Sequence, residues 1–406
     1  MAVNLPALEA VLAVPGVRVA ASPGAIKHLG RDDIALLVLA EGSTVSGVFT
    51  RNSFRAAPVQ VAESRIASGG IRALIINSGN ANAATGAPGV QDALAVCAQV
   101  AQLLGVPEES VIPFSTGVIG ERLPVKKMVS ALSVAQEKLC DDSWPAVARA
   151  IMTTDTAPKA VSQVVLVAGH QVTITGMAKG AGMMKPDMAT MLAFICCDAA
   201  VEQSCLNELT REVAAKSFNR ITIDGDTSTN DSFIICATGI AGQPQISSST
   251  HAAYNELRDG ILDVATELAQ RLVRDGEGAT KFVTVRVCGG AEPGECLAVA
   301  YTIAESPLVK TAMFAGDANW GRFCMAIGRA GVQDLDTTGV ALYLDDVCVA
   351  RNGLIAPTYE DAAGTAVMAK DEYVVRVELG RGACEEVVWT SDLTHEYIRI
   401  NSEYRT

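Results

Sequence analysis

The sequence predicts an α/β protein, an α+β arrangement in which a two-layered sheet sandwich is flanked by helices. Three observations lead there. Short apolar runs of strand length, such as Leu74-Ile75-Ile76 and Met191 to Cys197, alternate irregularly with longer helical patterns. Hydrophobic residues make up 49% and charged residues 19% of 406, a globular composition far from the disordered one. The length allows two or three domains or one large two-layered body, and neither a repeat nor a Pro/Ser-rich linker marks a boundary. Aromatics are only 5%, so the core must be built from Ala, Val, Leu and Ile.

Taken in order, Leu74-Ile75-Ile76 reads as a buried strand followed by a turn rich in Gly and Asn. Residues 90–104 read as a helix with Gly105 as its stop. A second helix is expected over 125–139, and a third from Ser143, with Pro145 in the first turn where a missing N–H costs nothing. Val161 to Thr175 reads as two strands turning at Gly169-His170. The apolar run ending at Cys197 is a buried strand. Helices are expected at 201–217 and 254–273, strands at 281–288 and 339–350, and further strands at 373–379, 385–389 and 397–400.

Lys plus Arg total 32 against 45 Asp plus Glu, a formal net charge of −13. Such a surface repels phosphate backbones and anionic lipid, so neither nucleic acid nor a membrane is expected as a partner. The segment before Arg18 carries no basic residue and no cleavage signature, and no stretch approaches the ~20 apolar residues of a membrane span. A cytoplasmic protein is expected. The 11 cysteines sit largely in apolar, strand-like settings, with no Cys-x-x-Cys and only four scattered histidines. They read as reduced thiols, and no metal site is expected.

The densest constellation is Lys179-Gly180-Ala181-Gly182-Met183-Met184-Lys185-Pro186-Asp187-Met188-Ala189-Thr190-Met191-Leu192. A dinucleotide reading fails because Lys185 stands where the third Gly belongs and a strand follows. A phosphate-loop reading fails because no G-x-x-x-x-G-K-[ST] is formed. A hydroxyl nucleophile needs a base, and this chain offers few histidines. A Thr made N-terminal by backbone cleavage supplies its own α-amine, with a pKa of roughly 7.7–8.0. The residues alone favour a plainer reading, a loop entering a core strand with Thr190 at its first position. Asp224-Gly225-Asp226-Thr227-Ser228-Thr229-Asn230-Asp231 invites a calcium reading, but Thr229 and Ile235 stand where the loop needs Gly and Glu. A hydrogen-bonded loop near the active site, or a turn rich in side-chain-to-backbone bonds, fits better.

The segment 179–192 closely resembles the cleavage motif of the ornithine acetyltransferase family, K-G-x-G-M-x-x-P-x-M-A-T-M-L, at every fixed position. Asn77-Ser78-Gly79-Asn80-Ala81-Asn82-Ala83 and Ser115-Thr116-Gly117-Val118-Ile119-Gly120 resemble further family motifs. So do Met152-Thr153-Thr154-Asp155-Thr156, the run 224–231, Gly276-Glu277-Gly278-Ala279-Thr280-Lys281, Gly316 to Arg322, and Ile400 to Thr406.

This resemblance implies an N-terminal-nucleophile-like fold and a precursor that cuts itself between Ala189 and Thr190. The products would be an α chain (1–189) and a β chain (190–406), assembled as an α2β2 heterotetramer. It implies that Thr190 carries acetyl from N2-acetylornithine to glutamate, with Thr116 and Gly117 as the oxyanion hole. Thr153, Lys179, Thr190, Glu277, Asn401 and Thr406 would bind substrate, Lys179 pairing a carboxylate and Glu277 an ammonium. No cofactor is expected. Acetyl-CoA is expected as a further donor, as in the bifunctional members, with a monofunctional enzyme as the alternative. The rivals are an aminopeptidase of related fold and an uncleaved binding protein.

Overall fold

The computed structural model describes residues 2–185 and 191–403, whose strands form three sheets. The first has four strands in the spatial order Val17–Ser22, Ile34–Leu39, Ala73–Asn80 and Val111–Val118. The last two run parallel and the other neighbours antiparallel. The second has five, in the order Thr44–Phe49, Ser232–Ala237, Leu192–Cys197, His170–Lys179 and Lys159–Val167. Here Ser232–Ala237 and Leu192–Cys197 are parallel and the rest antiparallel.

These two sheets pack face to face, and the two-residue period of each strand divides its side chains between two cores. Leu192, Phe194 and Cys196 enter the core between the sheets. Ala193, Ile195 and Cys197 enter another, beneath the helices Gln203–Lys216 and Tyr254–Arg274. On the first sheet, Leu37, Leu74 and Ile76 face inward, while Leu36, Ile75 and Val111 pack under Gly86–Leu104 and Val125–Glu137. The layers are helix, sheet, sheet, helix. Burial on both faces is why these strands read as unbroken apolar runs. Pro113 is tolerated because its strand lies at a sheet edge. Phe114 and Phe194 meet edge to face across the interior with ring centroids 5.0 Å apart.

The third sheet runs Leu354–Ile355, Val347–Arg351, Ala341–Leu344, Glu372–Glu378, Phe282–Gly290, Cys384–Ser391 and Ile221–Thr222. Val285, Val287, Leu342, Val375 and Val377 form its own core with the helices Pro293–Ala304, Pro307–Ala315 and Trp320–Gly328. Ile221 belongs to the core of the sandwich, so the short strand it opens joins the two bodies.

Two expectations are corrected. The apolar stretch at 339–350 is a hairpin of two strands, because Asp345 adopts a left-handed φ of 47° and turns the chain. Residues 397–400 lie in a helix, His395–Ser402. Thr394 caps it by accepting from the Tyr397 N–H at 3.2 Å, and Glu396 pairs with Arg399 one turn on. No side chain of this helix is buried, so Tyr397 and Ile398 find no sheet face to fill. Among the described residues no helix is long and apolar enough to cross a membrane.

Phe194→Ala should destabilise the protein by about 3–5 kcal/mol, because the cavity opens between two sheets that close poorly around it. The midpoint of denaturant unfolding, followed by circular dichroism, measures this.

Candidate active site

The site forms where strands of the two facing sheets end. Thr116 and Gly117 close the strand Val111–Val118 of the first sheet. Lys179 closes His170–Lys179 of the second and lies opposite Leu192, which opens the neighbouring strand. A cavity of about 290 Å³ lies between them, and Thr116, Gly117, Thr153, Lys179, Glu277 and Asn401 all line it, together with Met191. These residues come from five separate stretches of sequence. Ala189, Thr190 and Thr406 lie outside the described residues. Among those described, no group of three or more His, Cys, Asp or Glu is placed to hold a metal ion.

The backbone at Gly117 is held by close approach. Its φ is +133°, and a Cβ there would lie 2.3 Å from the Gly79 carbonyl carbon. Only glycine fits. The Asn-rich motif supplies the turn that makes this contact. Asn77 Nδ2 donates to the Asn80 carbonyl at 2.8 Å, and Asn80 Oδ1 accepts from the Asn82 N–H at 2.8 Å. The Ser115 hydroxyl donates to Asn77 Oδ1 at 2.6 Å, so the turn is bonded directly to the strand carrying Thr116. Asn230 adds a third tie, donating to the carbonyls of Ala81 (2.6 Å) and Ser115 (2.8 Å).

Lys179 Nζ donates to Thr153 Oγ1 at 2.7 Å and to Thr116 Oγ1 at 3.1 Å. An ammonium donating to the Thr116 oxygen occupies one of its lone pairs, which leaves the hydroxyl hydrogen to point elsewhere as a polarised donor. Burial lowers the Lys179 pKa from its ordinary value, against the opposing pull of Asp155.

Asp155 is the hub beneath this group. Its Oδ1 accepts from Lys159 Nζ and from the Gly180 N–H, both at 2.7 Å, and its Oδ2 accepts from the Thr153 N–H at 3.1 Å. Lys159 is fully buried and also donates to Asp275 Oδ2 at 2.6 Å. Asp275 in turn accepts from the Thr156 N–H at 3.0 Å. Burial by itself would raise the Asp155 pKa. The Lys159 and Lys179 ammoniums and the Gly180 N–H outweigh it and hold the carboxyl below its usual range. Burial likewise opposes charge on Lys159, and its two carboxylates overcome it and raise the pKa.

On the far wall, Glu277 Oε2 accepts from Asn401 Nδ2 at 2.8 Å, and the Glu277 N–H donates to the Ala181 carbonyl at 2.7 Å. Gly182 makes room for this carboxylate, since a Cβ there would lie 2.4 Å from Glu277 Oε2. The 224–231 run is a hydrogen-bonded loop beside the cavity. Asp224 accepts from the Met183 and Met184 amides at 2.6 and 2.7 Å and from the Tyr397 hydroxyl at 3.2 Å. It thereby joins the chain entering the Thr190 segment to the C-terminal helix.

One residue of this loop carries a sharper feature than its sequence suggested. Asp231 lines the cavity, is buried, and its Oδ2 has no hydrogen-bond partner among the described residues. Burial pushes its pKa well above the ordinary carboxylate value, only partly offset by Ser228 and Lys179. The neighbouring Ser232 N–H bonds to the Met191 carbonyl at 2.8 Å, so Asp231 lies beside the entry to the strand Leu192–Cys197. The sequence signal was an acidic residue directly preceding an apolar run, which many surface turns share.

Lys159→Met should destabilise the protein by about 3–5 kcal/mol near neutral pH, because it strands two buried carboxylates. The penalty should shrink below pH ~4, where those carboxylates take up protons. In the parent protein the Asp155 contribution is present above its unfolded pKa of roughly 3.9 and lost as pH falls. That of Lys159 is present below its unfolded value of roughly 10.4 and lost as pH rises through the folded one. Unfolding midpoints at about pH 2.5, 7 and 11 test both signs. Asp231→Asn should act oppositely. A carboxyl whose folded pKa is raised costs stability once pH passes its unfolded value, so the amide should stabilise the protein at pH 7–8 and have little effect at pH 4.

The sequence profile of the ArgJ family matches residues 18–406. The arginine biosynthesis bifunctional protein ArgJ of Pseudomonas syringae pv. tomato is 52% identical over 406 residues, the whole of both chains. That of Pseudomonas fluorescens is 50% identical over the same span. Among solved structures, the arginine biosynthesis bifunctional protein ArgJ of Bacillus halodurans is 33% identical, with a TM-score of 0.49 over 50% of this chain and 95% of its own. An ornithine acetyltransferase of Mycobacterium tuberculosis, complexed with ornithine, is 34% identical, with a TM-score of 0.39 over 45% of this chain and 98% of its own. Full-length identity at this level, carried by a family profile spanning nearly the whole sequence, assigns the molecule: the chain belongs to the ArgJ family.

Proposed function

We propose that this protein is an acyltransferase of arginine biosynthesis that moves acetyl from N2-acetylornithine to glutamate through an ester on Thr190, and that it also accepts acetyl from acetyl-CoA. The precursor cuts itself between Ala189 and Thr190, giving chains 1–189 and 190–406 that stay together in an α2β2 assembly in the cytoplasm. The reaction needs no cofactor. One observation carries this reading: Thr116, Gly117, Thr153, Lys179, Glu277 and Asn401, far apart in sequence, line a single cavity with Met191, the residue that follows the nucleophile.

The Thr190 α-amine takes the hydroxyl proton as Oγ attacks the acetyl carbonyl. The Thr116 hydroxyl and the Gly117 N–H receive the negative charge that develops on oxygen. Collapse breaks the amide, and the departing ornithine amine takes the proton. Glutamate's amine then attacks the ester, forms the new amide and returns a proton to Thr190. Lys179 holds a substrate carboxylate while orienting Thr116, and Glu277 with Asn401 and Thr406 receives the side-chain ammonium. On either side of the cut, residues 174–179 of the strand His170–Lys179 pair with the whole of Leu192–Cys197, which supports two chains remaining one body after cleavage.

Intact mass and N-terminal sequencing, run beside Thr190→Ala, test the reading. Two fragments, one beginning Thr-Met-Leu-Ala, are expected from the parent protein, with a single 42.3 kDa chain and no acetyl transfer from the variant. An uncut parent protein would sink the mechanism and favour an uncleaved binding protein. Cut protein that releases acetate without transferring acetyl to glutamate would favour a hydrolase.

A further inference from the structure

We propose that a groove beside the acyl cavity, walled by Lys27 and Arg31, receives the phosphate-bearing arm of the acetyl-CoA donor; this rests on the donor reading above. Three cavities adjoin one another. Gly117, Val118, Thr153 and Thr154 line both the acyl cavity and a second chamber of about 200 Å³. Lys27, Gly79 and Val118 line both that chamber and a trough of about 450 Å³, which Glu121 and Arg122 also line and which meets the acyl cavity at Val118 and Ile119. The chamber therefore opens beside the residues proposed to hold the oxyanion, and chamber and trough together offer a donor more room than the acyl cavity alone.

The charges of the cavities differ. The acyl cavity sets the carboxyls of Glu277 and Asp231 against the single ammonium of Lys179, which the proposed mechanism already gives to a substrate carboxylate. The second chamber carries Lys27, His28 and Arg31. Among the described lining residues the carboxylate is Asp33, which is buried and turned to the backbone, accepting from the Gly24 and Ile26 amides at 2.5 and 2.6 Å. Those two bonds fix the loop that presents Lys27. Arg31 is fixed too, donating through Nη2 to the Met152 carbonyl at 2.7 Å. Gly79 lets the loop descend, since a Cβ there would stand 3.0 Å from Lys27 Cβ. On a chain of net charge −13, two cations held beside the reaction centre form a local site for an anion.

The chemistry uses the same centre as the acetylornithine reaction. Thr190 Oγ attacks the thioester carbonyl, the C–O bond forms and the C–S bond breaks. The thiolate leaves with the proton that Thr190 gave up. Glutamate's amine then takes the acetyl group and returns a proton to Thr190.

The test compares Lys27→Glu/His28→Glu with Lys27→Arg and the parent enzyme in two assays, glutamate acetylation from acetyl-CoA and transfer from acetylornithine to glutamate. The charge-reversed pair is expected to lose about tenfold or more in kcat/KM for acetyl-CoA, the scale of one lost charge-assisted contact, while acetylornithine transfer stays intact and shows that the protein is folded. Lys27→Arg is expected to retain acetyl-CoA use, and free coenzyme A should inhibit the parent more strongly than the reversed pair. Unchanged acetyl-CoA kinetics in the reversed pair would overturn the assignment. A raised KM for glutamate in both assays would overturn it as well, giving the chamber to the acceptor's carboxylate. A parent enzyme that transfers from acetylornithine but ignores acetyl-CoA would overturn the donor reading itself, and the groove's role with it.

Discussion

Lys159 is sealed inside the protein with Asp155 on one side and Asp275 on the other, at 2.7 and 2.6 Å. An unpaired ammonium in such a place would be prohibitively costly, so the three charges must arrive together. Their positions in sequence make this a strong constraint. Lys159 opens the edge strand of the second sheet, Asp155 precedes it, and Asp275 follows the helix that covers that sheet. Bringing them together sets the helix against the sheet. It also leaves Asp155 with its remaining capacity aimed at the Thr153 and Gly180 amides, two parts of the cavity wall. The ion cluster is thus a joint of the scaffold and a support of the site in one.

A second support is steric. The first sheet ends at a point where Gly79 and Gly117 touch backbone to backbone; the Asn77, Asn80 and Asn230 amides bond the surrounding turns to that strand end, and Asn82 ties the turn to the Gly89 carbonyl of the next helix. Side-chain amides suit this task because each presents both donor and acceptor to backbone groups that have left the ladder. Gly182 plays the equivalent part opposite, yielding its side-chain space to Glu277. Much of what the motifs contain is therefore framework for a few working groups. Gly316 to Arg322 lies away from the cavity altogether, with Asn319 capping a helix of the third sheet's layer.

The two-sided burial of the sandwich strands made them legible, since Leu192–Cys197 and the first half of Ala73–Asn80 are apolar on both faces. Long helices with glycine stops were legible for local reasons, as at Gly105, which adopts the left-handed conformation the stop requires. Residues 397–400 misled because Tyr and Ile favour strands only where a sheet face exists to receive them, and here a capping Thr394 decided the conformation. The sequence gives Asp231 no role of its own, because an acidic residue at a turn says nothing of its burial. Its exposure and its unpartnered oxygen depend on every element packed around it.

By itself the sequence determined the α/β class, the candidate nucleophile at Thr190 and the family whose motifs run along the chain, because each is written in local pattern or residue identity. Only the tertiary structure decided that Thr116, Thr153, Lys179, Glu277 and Asn401 face one cavity. Only it decided that Lys179 donates to the Thr116 hydroxyl, and that a chamber carrying Lys27 and Arg31 adjoins that cavity. Those facts are distances between residues far apart in sequence. They are set by the packing of two sheets and by a buried charge cluster that tolerates no other alignment.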